Sequence, residues 1–289
     1  SPGARVRWHL SQSLVLSGTA ARRYQFGQSL RNPESIVSNV FPADLYVGAG
    51  DAGVPVAASD IGIVAGEFRP GAFVRLGCQA YLRDFTGLAL VAPRSADPFA
   101  TSGFVEGSGR AYGVALEAGA SGSRYGVVAS YGFQSVSLAY PGGEYVPGYG
   151  AVHSIEAGIV CFPVPTYSVR LGFESILGRR ATSTLGSLEY EAVNLLDQGG
   201  EFAGSPGAWS EALGGTALPA YYRLDLGVRK QWRTRIGERD GLVAVFGTVS
   251  NLMGRTNVLA VTVDPATGER TPVEMRPFSP LVVGIDWRF

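Results

Sequence analysis

Two histidines, His9 and His153, are the side chains best suited to act as a general base near neutral pH, and no others occur in the chain. Ser154 follows His153 directly. In an extended segment adjacent side chains point to opposite faces, so this imidazole cannot reach the neighbouring hydroxyl. A hydrolase needs a nucleophile, a base and an orienting group within hydrogen-bond reach. The sequence therefore predicts no enzyme activity.

Carboxylates and amides offer no clearer site. Four carboxylates are too dispersed for an acid–base pair to be argued: Asp60, Glu67, Asp84 and Glu117. Asn251, Asn257 and Asp264 could hold a cation near a loop, but such residues are more often turn formers. We expect no metal site.

Cys78 and Cys161 are the only two cysteines, and each lies within a strand-like segment. Two distant cysteines do not imply a disulfide framework. Each is expected to serve as a small apolar residue on a buried or lipid-facing surface. A histidine-based metal centre is also not expected, because each histidine stands alone. We expect no cofactor.

The composition points to a β-rich chain. Glycine contributes 40 of 289 residues, tyrosine 13 and phenylalanine 14, while only 17% are charged. This chain is too apolar and aromatic for disorder, yet it has no apolar run long enough for a membrane-spanning helix. The 24 acidic and 24 basic residues balance, which argues against a nucleic-acid binder.

A period of two residues runs through the chain. Leu281, Val283, Ile285, Trp287 and Phe289 alternate with smaller or charged residues up to the last position. Four further segments alternate in the same way: 74–83, 125–134, 167–174 and 222–229. Each places apolar groups on one face and polar groups or glycine on the other. These segments are therefore predicted to be strands.

We predict about eleven strands, with connections that alternate in length. The predicted strands are 4–10, 13–24, 57–68, 72–85, 108–119, 123–138, 151–162, 166–177, 220–235, 241–252 and 279–289. Short turns are expected at 11–12, 69–71, 120–122, 163–165 and 237–239. Long loops rich in glycine, proline and serine are expected near 25–56, 86–107, 139–150, 178–219 and 253–278.

This short–long alternation favours an antiparallel transmembrane β-barrel, with short periplasmic turns, long extracellular loops and an apolar outer band. A β-sandwich or propeller could show alternating strands, but five successive long–short pairs would be unusual there. In a barrel the polar rows face the lumen, where charge is tolerated. The predicted lumen-facing charges are Arg75, Arg83, Glu117, Arg170, Glu174, Arg223, Asp225, Arg229, Asp286 and Arg288, together with Arg5 and Arg7. Aromatic residues at strand ends, including Tyr222, Trp232, Trp287 and Phe289, suit interfacial girdles.

Strand parity suggests that the chain is part of a larger barrel. If the short turns are periplasmic, an odd number of strands puts the two ends on opposite sides of the membrane. A complete exported barrel has an even number of strands and both ends inside. No leader peptide is visible before Arg5, so either a leader was removed or the sequence starts within a longer protein. We therefore expect strands upstream of this sequence.

Several segments resemble TonB-dependent outer-membrane receptors. The Arg-x-Asp strand around Arg223 and Asp225, and the strand ending at Asn251-Leu252 with Asn257 soon after, resemble the closing strands of that family. The segment 109–117, which ends in Glu117, resembles its Gly-x-Glu strand. Weaker likenesses lie at Tyr24-Gln25, at Tyr145-Val146-Pro147 before His153, and at the terminal Phe289. Together they extend over nearly the whole chain.

The resemblance implies that residues 1–289 are the C-terminal part of a barrel of roughly 22 strands, with the plug domain and the N-terminal strands absent. It implies TonB-driven uptake across the bacterial outer membrane of a scarce small ligand such as an iron chelate, cobalamin or an oligosaccharide. The implied partners are outer-membrane lipid, the TonB system through the missing N-terminal part, and the barrel-assembly machinery, which reads Phe289.

Loop aromatics are the candidates for ligand contact: Tyr24, Phe26, Phe41, Tyr46, Tyr145, Tyr149, Phe202 and Trp209. The alternative is that they pack the loops against themselves. A passive porin or a structural outer-membrane barrel protein, such as an adhesin, is the alternative function. A porin would need a closed and unplugged barrel, whereas a transporter half would leave two edge strands in need of partners.

Overall fold

The structure, a computed structural model, describes residues 1–29, 46–49, 54–91, 104–148, 150–185, 214–236, 239–264, 267–275 and 280–288. These ranges consist of β-strands and their connections. None of their residues belongs to a helix that is long and apolar enough to cross a membrane. The strands are β1 (Gly3–His9), β2 (Leu14–Gln25), β3 (Gly27–Ser29), β4 (Tyr46–Gly48), β5 (Ala57–Phe68), β6 (Val74–Val91), β7 (Phe104–Ser121), β8 (Tyr125–Tyr140), β9 (Gly143–Tyr145), β10 (Ala151–Val164), β11 (Tyr167–Leu177), β12 (Arg180–Ala181), β13 (Thr184–Leu185), β14 (Thr216–Ala217), β15 (Tyr221–Ile236), β16 (Arg239–Val249), β17 (Asn257–Val263), β18 (Arg270–Met275) and β19 (Leu281–Arg288).

One large antiparallel sheet organises the described chain. Its path is β1-β2-β5-β6-β7-β8-β10-β11-β15-β16-β19, and β9 pairs with β8 beside that path. Neighbours along the path are also neighbours in the sequence, apart from the short strands inserted between them. Within the described residues, β1 pairs only with β2 and β19 pairs only with β16, so both edges of the sheet are open.

The eleven predicted strands are confirmed, one for each strand of this path. Two of them extend further than predicted, since β6 continues to Val91 and β7 begins at Phe104. A bulge between Phe85 and Leu88 lets the β6–β7 hairpin rise beyond the rest of the sheet. Sequence periodicity also missed the strands in the long connections. Six of them have only two or three residues, too few to show a period. β17 and β18 have seven and six residues but fall within the segment 253–278 that was predicted to be a loop, and the apolar run 258–261 in β17 shows no alternation.

The strand register sorts side chains onto two faces. Direct partners across a sheet lie on the same face. One row contains Val74, Ala120, Val127, Ile159, Leu171, Leu226, Val249 and Leu281. A row on the opposite face contains Glu67, Gly77, Glu117, Ser130, Glu156, Glu174 and Arg223. Three cavities are lined mainly from the second face, which is therefore the concave one.

The convex face carries large apolar side chains that no protein atoms cover. Val64 is 64% exposed, while Val283 and Ile285 are each 71% exposed. Few apolar side chains of the described residues are fully buried, and most of those are small. A sheet with one apolar face and one charged face cannot exclude water by itself, so the convex face fits a hydrocarbon surrounding.

Cys78 and Cys161 are both free and exposed. The register aligns Cys78 with Leu116 and Cys161 with Tyr125, which places both thiols on the convex face. This agrees with the expected role as small apolar residues and with the absence of a disulfide between them.

Aromatic side chains mark two levels of the convex face. Trp232 and Trp287 both pair with Val243, close to the turn between β15 and β16. Farther from the short turns, Tyr112 and His153 contact Phe133, with ring centroids 6.2 and 4.9 Å from it. Amphipathic rings at two separated levels are typical of the two interfaces of a membrane.

Candidate ligand path on the concave face

A cavity of about 850 Å³ lies against the concave face. Its floor includes Gly119, Gly158 and Gly172, which are aligned in one row of the sheet. A Cβ atom at Gly172 would meet nothing within 4 Å. Backbone geometry therefore does not require glycine at this position, and its effect is to leave space above the sheet.

Charged residues stand at both sides of this floor. Arg75 pairs with Gly119 at one end of the row, and Asp225 pairs with Gly172 at the other. Arg223 forms an ion pair of 2.6 Å with Asp225. The Arg170 side chain lies over Gly227 and donates a hydrogen bond of 3.2 Å to Thr248 Oγ1. The cavity is thus polar at its margins and lined by small residues between them.

Three glutamates share the adjacent concave row. Glu117 faces Ser130, and Glu156 and Glu174 are direct partners on β10 and β11. A second cavity, of about 620 Å³, is lined by all three glutamates together with Arg75 and Arg223. Like charges placed directly opposite each other repel, so this row favours a cationic group in the space above it.

An ion-pair network on the concave face of β15 and β19 lies beside the buried Ala244. Asp286 accepts from Arg229 at 2.8 Å and from Arg288 at 3.2 Å. Ala244 lies on β16 between these strands and is fully buried. A larger side chain at this position would separate Arg229 from Asp286.

All ten charges predicted to face the lumen lie on the concave face. The register aligns Arg83 with Ile61 and Ala111, and both of those residues belong to the concave side. Arg83 donates a hydrogen bond of 2.6 Å to Ser59 Oγ and lies 4.4 Å from the centre of the Phe85 ring. Arg5 and Arg7 also line a concave cavity.

The histidines lie on opposite faces of the sheet. His153 is on the convex face, where its Nδ1 atom hydrogen-bonds with Tyr131 Oη at 2.8 Å. Ser154 is on the concave face opposite Gly132. The geometry therefore agrees with the prediction that His153 cannot activate Ser154. His9 pairs with Val15 on the concave side, at the far end of the sheet from β10.

A buried glutamine, which the sequence reasoning missed, ties the connection between β2 and β5 to the upper part of β6. The Gln28 amide nitrogen donates to the carbonyl oxygens of Pro55 and Gly87, at 3.0 and 2.9 Å. Its amide oxygen accepts from the Ala89 backbone nitrogen at 2.8 Å. Gln28 is only 6% exposed. A buried amide with its partners satisfied fixes the bulge of β6, and no local sequence pattern signals such a contact.

A second group of connections packs into what we call the loop block: β12, β13, β14, β17 and β18. In it, β13 pairs with β17 in parallel, and β12 pairs with β14. The Arg179 guanidinium donates to the Val258 carbonyl at 2.8 Å, and burial lowers its pKa. Ser183 is fully buried and hydrogen-bonds with Thr216 at 2.5 Å. The connections after β11 and after β16 therefore form one packed unit.

The Asn251-to-Asn257 segment terminates β16 and stays bonded to β15. Asn251 adopts a φ of 53°, and its backbone nitrogen donates to Asp225 at 2.9 Å. The Asn257 side chain accepts from the Tyr222 nitrogen at 3.1 Å and donates to the Tyr222 oxygen at 2.9 Å. These amides replace strand pairing, as expected of turn formers. No group of three metal-binding side chains occurs among the residues that the structure describes.

The loop aromatics lie in different settings. Tyr24 is on β2 in the row of Ala58 and Thr86, which continues the convex face, and Phe26 is 68% exposed after that strand. Tyr145 packs edge-on against Tyr140 with ring centroids 6.1 Å apart. Tyr46 belongs to β4. Phe41, Tyr149, Phe202 and Trp209 lie outside the described residues, as does Phe289. Ligand contact by these aromatics stays a prediction.

A row of four charges crosses the convex face, and the sequence analysis did not single it out. Arg22, Asp60, Asp84 and Arg110 are successive partners on β2, β5, β6 and β7. Arg22 donates two hydrogen bonds to Asp60, at 2.8 and 2.7 Å, and Arg110 donates one to Asp84 at 2.7 Å. We call this row the charged belt. On β6 it follows the apolar residues Leu82 and Ala80 of the same face.

Two solved structures share this arrangement. One is the ferric-catecholate import receptor Fiu from Escherichia coli K12, with a TM-score of 0.53 and 13% sequence identity over 99% of this chain. The other is the outer membrane transporter YddB from Escherichia coli, with a TM-score of 0.56 and 9% identity over 99% of this chain. The chain spans 34% and 40% of their lengths. No protein-family model and no curated protein matches the chain.

These likenesses establish the fold. The described chain is all-β, and its large antiparallel sheet has the strand arrangement of these two proteins, which confirms the predicted fold class. Fiu is an import receptor and YddB is an outer membrane transporter. At this level of identity the likeness extends to the arrangement of strands alone.

Proposed function

We propose that this chain forms one sector of the barrel of an outer-membrane receptor that takes up a scarce small ligand with energy supplied through TonB. The observation that carries the proposal is the combination of faces. The convex face exposes large apolar residues between two levels of aromatic rings, while the concave face carries charges and the cavities. This combination suits a wall between lipid and a polar lumen.

Open edges and partial coverage support a larger barrel. β1 and β19 each lack a second partner among the described strands, and unpaired backbone groups cannot remain exposed to hydrocarbon. Both similar structures are more than twice as long as this chain. We propose that residues 1–289 form the C-terminal part of such a barrel, that further strands pair with both edges, and that a plug domain occupies the lumen.

The class of ligand is proposed from the kind of receptor and from one of the similar structures. An iron chelate, cobalamin or an oligosaccharide would each suit a receptor of this kind, and the iron chelate has the support of the ferric-catecholate receptor among the similar structures. The barrel-assembly machinery and outer-membrane lipid are proposed partners, with Phe289 as the assembly signal. No covalent chemistry is required of any residue on the concave face.

The decisive experiment compares energised uptake with passive conduction. The native full-length protein would be expressed in iron-limited bacteria with and without functional TonB, and uptake of ⁵⁵Fe bound to a catecholate would be followed. Uptake that requires TonB, together with a closed state in planar bilayers, is the expected result. Steady ion conduction by a mature protein of about this length would instead establish the porin alternative and refute the proposal.

A further inference from the structure

The concave face has an uneven distribution of charge. On β1, β2, β5 and β6, Glu67 is the only carboxylate of the described concave positions. The same four strands carry five arginines on that face: Arg5, Arg7, Arg23, Arg75 and Arg83. The acidic residues Asp60 and Asp84 of these strands lie on the convex face instead. This sector of the wall is therefore basic.

The five arginines lie at different heights between the short-turn edge and the long-loop edge, with Arg5 and Arg7 on β1, Arg23 on β2, and Arg75 and Arg83 on β6. Arg75 lies lowest, and Glu67 occupies the level above it. The next four levels hold Arg7, Arg5, Arg83 and Arg23 in that order. Successive levels are two residues apart, which corresponds to about 7 Å along a strand. The arginines thus span most of the height of the wall. We call them the arginine column.

Most of the column is not neutralised by the described chain. Arg75 lies 3.5 Å from Glu67, which also pairs with Arg69. No carboxylate in the described ranges forms an ion pair with Arg5, Arg7, Arg23 or Arg83. Arg5, Arg7 and Arg75 line one concave cavity of about 170 Å³, which Glu67 and Glu117 also line. Above this cavity the described concave face of these four strands carries no carboxylate.

We infer that the arginine column is a path for an anionic small ligand along the β1–β6 sector of the lumen wall. Guanidinium groups at successive levels can pass an anion from one to the next, since each offers several N–H donors and retains its charge. The neighbouring sector, from β7 to β11, carries Glu117, Glu156 and Glu174 in one row and would repel the same ligand. This inference rests on the proposed function and specifies the charge of the ligand and the side of the lumen that it follows.

The test uses two iron complexes of similar size, one of them anionic and the other neutral. Ferric tris-catecholate carries three negative charges, and ferric tris-acetohydroxamate is neutral. Their binding to the purified full-length protein would be measured by equilibrium dialysis with ⁵⁵Fe, in low and in moderate salt. We expect the wild type to prefer the anionic complex, and salt to weaken that preference.

Single substitutions test whether the arginines of the column, rather than any concave arginine, bind the anionic complex. Each of Arg5→Gln, Arg7→Gln and Arg83→Gln is expected to lower affinity for the anionic complex about two- to fivefold, as exposed charge pairs do, with little effect on the neutral complex. The matched control is Arg233→Gln, which removes a concave arginine outside the column. The corresponding lysine variants should retain most of the affinity for the anionic complex, because the positive charge is kept.

Three outcomes would overturn the inference. One is equal affinity of the wild type for both complexes, and another is equal loss of affinity in Arg233→Gln. In the third, the variants lower thermal stability without ligand and leave the ratio of the two affinities unchanged, which would assign the column to an acidic segment of protein in the lumen. Anion binding without TonB-dependent uptake would retain this inference and reject the proposed function.

Discussion

Replacement of Gln28 gives the sharpest test of the local packing. Gln28→Leu keeps a side chain of similar size but removes the hydrogen bonds to Pro55, Gly87 and Ala89. At about 1 kcal/mol of net stabilisation for each bond, the loss is about 3 kcal/mol. It falls on the connection between β2 and β5 and on the bulge of β6 rather than on the sheet as a whole.

The Ala89 amide reports this loss directly, because its hydrogen-bond acceptor is the Gln28 side chain. A loss of about 3 kcal/mol predicts exchange of this amide roughly a hundredfold faster. Hydrogen–deuterium exchange on the full-length protein in detergent would measure it. Gln79→Leu is the matched control, since Gln79 is an exposed concave residue of the same strand, and it should leave the exchange unchanged. Exchange at Ala89 within about threefold of wild type in Gln28→Leu would refute the reasoning.

Three further predictions concern the faces of the sheet and the end of β16. Val64→Arg puts a charge on the convex face and should lower the free energy of unfolding in lipid vesicles by about 2–4 kcal/mol. Gln79→Glu puts a charge on the concave face, beside the cavity that Arg5 and Arg7 line, and should change that free energy by less than about 0.5 kcal/mol. Equal effects would contradict the assignment of the faces. Gly113→Ala would bring a Cβ against the Phe133 carbonyl oxygen and to 2.7 Å from the Tyr81 ring, and it should cost about 1–3 kcal/mol. Gly172→Ala meets nothing within 4 Å and should be neutral or slightly stabilising in urea unfolding. Asn257→Ala removes both hydrogen bonds to Tyr222 and should lower the local stability of this segment by about 2 kcal/mol. Hydrogen–deuterium exchange of the Tyr222 amide should become faster. Unchanged exchange of this amide would show that other contacts hold the segment.

Strands and their faces could be predicted from the sequence because alternation is a local property. Leu171 and Arg170 reveal their faces by their neighbours alone, and the register of β11 with β10 and β15 confirms both. The ten predicted lumen charges lie on one face for the same reason. Nothing beyond the period of two residues and the turn residues between strands was needed.

Contacts between distant segments could not be predicted in this way. Gln28 acts on residues 27 and 59 positions away, at Pro55 and Gly87, and a polar residue in a loop gives no sign of such partners. The pairing of β13 with β17 joins two connections separated by β15 and β16. The charged belt was overlooked for another reason, since Asp84 continues the apolar face of β6 and only the register shows that three further charges align with it.

The charged belt also determines which membrane the sheet fits. From Val74 to Asp84 the convex face of β6 is apolar until the belt, and ten residues of a strand tilted by about 40° rise roughly 25 Å. A bilayer of that hydrophobic thickness would leave Arg22, Asp60, Asp84 and Arg110 among the lipid headgroups. A thicker bilayer would draw them into hydrocarbon or force the lipid to thin around this side of the wall, and either carries a mismatch cost. We therefore expect the belt to make this sector of the sheet fit thin membranes better than thick ones.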